Sequence, residues 1–137
     1  MIDQAITSMA HELLSRGEAL RFIARGQSMW PFVLDGDVVE ILPRRKPVAV
    51  GDIVFVPNVE FGHVHRVIAL DTEGRALVRG DALYEPDGWF SQNEISGVLG
   101  SVSRHGRSIR VRRGRSAGKI ATVLGAARRV VHRIRHR

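Results

Sequence analysis

The sequence predicts a mainly β domain of antiparallel strands, flanked by a short N-terminal helix and a basic amphipathic C-terminal helix. Three observations carry this reading. Between residues 20 and 111 the apolar residues fall in short β-prone runs; Gly, Pro and Asp separate those runs at turn positions; and helical spacing is confined to the two ends of the chain. At 137 residues the chain is about one domain's worth, and its 44% hydrophobic content is ordinary for a globular protein. The expected organisation is residues 1–19 as the N-terminal helix, 20–112 as the β domain and 113–137 as a basic helical tail.

Taken in order, Ile6, Met9, Ala10, Leu13 and Leu14 lie at helical spacing within residues 3–16, with Asp3 as candidate N-cap and Gly17 as candidate stop. Strands are expected at "LRFIA", "VVEIL", "DIVFV", "VHRVIAL", "ALVRG", "ISGVLGSV" and "SIRVR", runs whose branched and aromatic side chains suit a pleated, half-buried surface. Gly-Asp steps at 36–37, 51–52 and 80–81 and the loop "DTEGR" read as tight turns between them. After "RRGRSAGK" the helical period returns. Ile120, Val123, Leu124, Ala127, Val130, Val131 and Ile134 form one stripe, with Arg128, Arg129, Arg133 and Arg135 largely off it. Such a helix can pack on its own domain, lie on an anionic membrane surface or grip an acidic partner, and the sequence leaves all three open.

The net charge of +7 is unevenly spread. Residues 1–103 hold 9 Lys/Arg against 14 Asp/Glu, whereas residues 104–137 hold 12 Lys/Arg and no acid. The basic character therefore belongs to an appended segment, and no specific nucleic-acid-binding face is expected on the β domain. Absence of cysteine excludes disulfides and thiolate metal sites. No apolar run approaches the roughly 20 residues that cross a bilayer, and the first twenty residues carry acids before their first base, so neither a membrane anchor nor a secretory signal is read. The expectation is a soluble, cytoplasmic chain with peripheral contact to anionic membrane through the basic tail.

The chemistry centres on "ARGQSMWPFVLDGDVV", which sets Ser28 between a Gly-Gln pair and a Trp-Pro pair. A serine hydroxyl is a poor nucleophile until a base removes its proton. Lys46, in the polar "PRRKP" loop, and Lys119, in the basic tail, are the two lysines, and neither position reads as desolvated enough to be neutral. The histidines of "FGHVHRVIAL" suit the role better, because an imidazole titrates near neutrality and a strand fixes its position. Alternation puts His63, His65 and Val67 on one face and Val64, Arg66 and Ile68 on the other, which turns Arg66 away from His65 toward a structural ion pair. His63 and His65 are also spaced to supply two metal ligands from one face, with Asp81 or Asp87 as a third, but no further spacing supports a metal and none is assigned. Asp37 and Asp52 read as turn formers, and Trp89 and Phe90 as core or loop anchors.

Four segments in this order, "GQSMWPFVLDGDVVEI", "VAVGDIVFV", "HVHRVIAL" and "LVRGDALYEPDG", resemble the boxes of the type I signal peptidase family. The His-Arg-Val of the third is similar to the archaeal and endoplasmic-reticulum branch, where histidine stands in place of the bacterial lysine. The resemblance spans about residues 24–102. It implies a serine endopeptidase on a signal-peptidase-like, repressor-cleavage-like β fold, with Ser28 as nucleophile, His65 as general base, a peptide or protein precursor as substrate and no cofactor. The orienting acid would come from "GDALYEPD", where Asp81 matches the Gly-Asp and Asp87 the position of a further acid; both remain candidates. Gly26 and Pro31 bracket the serine on a constrained turn, Met29 is expected as an apolar floor beneath the cleft, and Gln27, Met29 and Pro31 are the candidate substrate-binding positions. The Ser28 N–H is a candidate oxyanion donor.

Departures accompany the resemblance. Gly26 stands where family members commonly carry a serine whose hydroxyl supports the oxyanion, Gln27 replaces a glycine, and the late box lacks the asparagines that usually follow Gly-Asp. A catalytically weak or inactive peptide-binding module of the same fold is therefore the alternative function. A self-cleaving repressor of the related fold fits less well. Those proteins use lysine as base and carry a DNA-binding module, which the residues before the β region are too few to form, and no Ala-Gly pair precedes Ser28.

Overall fold

Helical spacing at the N-terminus produces α1, Gln4–Ser15, and the change of period after Gly17 produces a sheet. The computed structural model describes residues 4–57 and 63–114; the Asp3 cap and the helix expected within 113–137 lie outside them, apart from residues 113 and 114. Eight strands follow: β1 Leu20–Ile23, β2 Val38–Pro43, β3 Ile53–Val56, β4 His63–Leu70, β5 Ala76–Arg79, β6 Gly88–Phe90, β7 Gly97–Arg104 and β8 Arg107–Ile109. A single 3-10 turn, Gln92–Glu94, separates β6 from β7. The expected mainly β, antiparallel class is the one observed.

The strands form one curled antiparallel sheet in the order β1-β2-β7-β3-β4-β5-β6, with β8 also paired to β7. β7 is its hub. One side of β7 pairs with β2 from Pro43↔Gly97 to Val38↔Ser103, and its other side is divided between β3 and β8. Because the sheet curls, apolar clusters form on both of its faces. Ile53 and Phe55 join Ala10, Leu14, Met29, Val39, Ile41 and Leu99 in one cluster, while Val54 and Val56 join Val67, Val78, Phe90 and Ile95 in the other. All four β3 residues are buried, so this strand reads as a continuous apolar run rather than an alternation. α1 caps the first cluster with Ala10 and Leu14.

Two expectations are corrected. β6 is not among the expected strands, because three residues that begin on Gly88 carry too little periodicity; as a strand it alternates, with Phe90 buried and Trp89 exposed. The three Gly-Asp steps are also not equivalent. Gly36 and Gly51 have positive φ, as tight turns ask, whereas Gly80 does not, and its lack of a side chain serves the site described next.

Candidate active site

Ser28 lies in the loop from β1 to β2, and local hydrogen bonds define that loop. Trp30 N–H donates to the Gln27 carbonyl at 3.1 Å, and the Phe32 and Val33 N–H groups donate to the Met29 carbonyl at 3.0 and 3.1 Å. The turn enters through Gly26 at a φ of +87°, a conformation glycine adopts without a Cβ penalty, and the Gly26 N–H is held by Asp35 Oδ1 at 2.8 Å. The Trp30–Pro31 peptide bond is cis. At the far end Asp37 is buried and closes the loop, accepting from the Leu34 N–H at 2.8 Å and from Arg104 of β7 through both carboxylate oxygens, at 2.8 and 2.9 Å. The sequence reading of Asp37 as a turn former thus understates it.

This turn brings Ser28 Oγ to 3.0 Å from His65 Nε2. His65 Nδ1, on the other side of the ring, contacts Asp87 Oδ2. The imidazole and carboxylate side chains are only 7% and 9% exposed, so water competes weakly for either contact. With Asp87 ionised, the arrangement requires a proton on Nδ1 donated to the carboxylate, leaving the Nε2 lone pair to accept from the Ser28 hydroxyl. Alcohol, imidazole and acid are thus in line.

The two candidate acids separate cleanly. Asp81 is 1% exposed and both of its oxygens accept from Arg66, Oδ1 from Nε at 2.9 Å and Oδ2 from Nη2 at 3.0 Å. Asp81 does not reach His65 and is corrected from candidate triad acid to structural partner, while Asp87 takes the imidazole. Burial raises the Asp81 carboxyl above its ordinary value, and the guanidinium pulls against that rise. Arg66 is fully buried; it also donates to the Gly51 and Arg112 carbonyls at 2.9 and 3.0 Å and lies over the Phe32 ring at 5.4 Å. It faces away from His65 into an ion pair, as alternation on β4 predicts.

Sequence reasoning missed the group that joins these pieces. A Cβ built on Gly80 would lie 2.8 Å from the Ser28 carbonyl oxygen, 2.9 Å from Leu83 Cδ1 and 3.1 Å from His65 Nε2, so only glycine lets the β5–β6 loop close over the dyad. Two residues on, the Ala82 N–H donates to the Ser28 carbonyl at 2.9 Å. The Gly-Asp of "RGDAL" was the available signal, but it reads locally as a turn. The Ser28 N–H itself has no hydrogen-bond acceptor among the described residues.

The candidate substrate-binding positions are placed unequally. Gln27 is exposed and Pro31 half-buried at the serine turn, whereas Met29 is 4% exposed within the core, where its sulfur accepts from the Asp81 N–H at 3.5 Å. Met29 is a floor beneath the site and not a surface that a ligand would touch. Exposed Leu83 and Tyr84 stand on the loop between Gly80 and Asp87. The His63 side chain lies outside the described residues, and no group of three or more His, Asp or Glu among the described residues is placed to hold a metal ion.

No protein-family model matches this chain, and no curated protein matches it. Among the described residues no helix is long and apolar enough to cross a membrane.

Proposed function

We propose that this chain is a serine endopeptidase of the signal-peptidase-like kind, with Ser28 as nucleophile, His65 as general base and Asp87 as the orienting acid. The observation that carries the reading is the 3.0 Å approach of Ser28 Oγ to an imidazole whose opposite nitrogen meets a shielded carboxylate. A peptide carbonyl placed against Ser28 is attacked by Oγ as the hydroxyl proton passes to His65 Nε2. The imidazolium so formed is stabilised by Asp87. When the tetrahedral adduct collapses, the C–N bond breaks and the same proton goes to the departing amine, leaving an acyl ester on Ser28. Water then attacks the ester with His65 again taking a proton, and the carboxylate product leaves with Ser28 restored.

Charge on the carbonyl oxygen needs donors, and the Ser28 N–H is the one this reading assigns. Gly26 offers no side-chain donor at the position where the resembled family commonly has a serine. That departure favours the second reading, a peptide-binding module that does not cut. Intact mass after treatment with an alkyl fluorophosphonate separates the two. The enzyme reading expects one phosphonyl adduct per chain, mapped to Ser28 and absent from Ser28→Ala; an unmodified chain would leave the binding module.

A further inference from the structure

A cavity of about 590 Å³ opens at the C-terminal end of β2, the end opposite the serine loop. Ser28, His65 and Asp87 are not among its lining residues, so the cavity is distinct from the dyad. Its apolar wall includes Leu42, which is 39% exposed, and Val98, its cross-strand partner on β7. Four cationic side chains share the lining: Arg44, Arg45, Lys46 and Arg113.

The bonding of these cations is unusual. Arg44 donates to the Ile95, Gln92 and Lys46 carbonyls at 3.0, 2.9 and 3.2 Å, and Arg113 donates to the Gly100 carbonyl at 2.8 Å. Both guanidinium groups are held by neutral acceptors, and neither has a carboxylate partner among the described residues. Arg45 and Lys46 are exposed, and neither has a carboxylate partner among the described residues. Asp52 is the one acid of the lining, and one of its oxygens accepts from the Ala49 N–H at 2.8 Å. A concave site with fixed, excess positive charge beside aliphatic surface complements a ligand with an anionic head and an aliphatic body, because neither part alone uses both walls.

We propose that this cavity binds an anionic amphiphile, a phosphate or carboxylate head on an aliphatic chain, with the head against Arg44, Arg45 and Lys46 and the chain along Leu42 and Val98. Calorimetric titration of the full-length chain with dodecyl phosphate below its micelle concentration, with dodecanol and with inorganic phosphate tests this. Dodecyl phosphate is expected to bind at least about tenfold more tightly than either fragment, and the double variant Arg45→Glu/Lys46→Glu to lose at least about tenfold of that affinity. Both substituted positions are exposed, so folding is retained, and a circular dichroism spectrum checks it. Equal affinity for dodecanol, an unaffected double variant or no binding would overturn the proposal. Sedimentation with phosphatidylglycerol vesicles distinguishes the source of the ligand: loss in the double variant supports a membrane lipid as the amphiphile. Sedimentation that survives those substitutions, with dodecyl phosphate silent in solution, places the anion contact elsewhere and counts against the cavity.

Discussion

Asp81 and Asp87 sit six positions apart in one loop, and their environments assign them different work. Asp87→Asn replaces the carboxylate with an amide whose NH2 can donate to Nδ1 and so favour the wrong tautomer of His65, and the expected loss of Ser28 reactivity is about 10³–10⁴-fold with the melting temperature little changed. Asp81→Asn has the opposite signature, because it leaves the fully buried Arg66 charge without its partner, at a cost of about 3–5 kcal/mol read from urea unfolding. Gly80→Ala tests the closeness of the loop: its methyl meets the Ser28 carbonyl and His65 Nε2, so phosphonylation of Ser28 slows sharply in protein that still folds. Unchanged labelling in Gly80→Ala would show that the loop does not hold the dyad. Chemistry narrowed the base to the histidines of "FGHVHRVIAL", and the resemblance of the four boxes pointed to Ser28 and to His65 among them. The acid was not legible, since two carboxylates in one loop differ only by which cation or imidazole the fold brings beside them.

At the scale of elements, periodicity made seven of the eight strands visible, and its limits explain the remainder. β3 lacks alternation because both of its faces are buried, yet its run of Ile, Val and Phe still marks it. β6 was hidden by its three-residue length. Phe55 joins β3 to the cluster under α1, and Phe55→Ala is expected to cost about 3–5 kcal/mol of stability by urea unfolding. The link from the serine loop to β7 is electrostatic. Arg104 bonding holds the Asp37 carboxyl below its ordinary value, so the folded state binds a proton there less readily than the unfolded chain. The stability this contributes is fully present above the unfolded value of about 4 and is lost as pH falls through the lower folded value. Urea midpoints measured from about pH 5 down to pH 2 should fall with acid in the wild type and fall less in Asp37→Asn, whose amide cannot titrate. Parallel curves would remove Asp37 from the account.

Across the whole molecule, charge and chemistry are segregated. The eight described strands and the Ser28–His65–Asp87 line lie within residues 4–114, while 12 of the 21 Lys/Arg lie after residue 103. Removal of residues 115–137 is therefore expected to leave fluorophosphonate labelling of Ser28 unchanged; lost labelling in a folded truncated chain would assign the tail a part in the site. Composition made this division visible, because an acid-free stretch needs no fold to be recognised. What composition could not carry is the curl of the sheet, which depends on β7 pairing with β2 on one side and with β3 and β8 on the other. Long-range pairing of that kind leaves no local mark in the chain, and it sets β4 and the serine loop near enough for their side chains to meet.

The central claim is that His65 takes the proton from Ser28. The measurement that reaches it most directly is the second-order rate constant for phosphonylation of Ser28 in the wild type and in His65→Gln, followed by intact mass at neutral pH. The account predicts a rate about 10²–10⁴-fold lower in His65→Gln, in protein with an unaltered circular dichroism spectrum. Equal rates in the two proteins would contradict it.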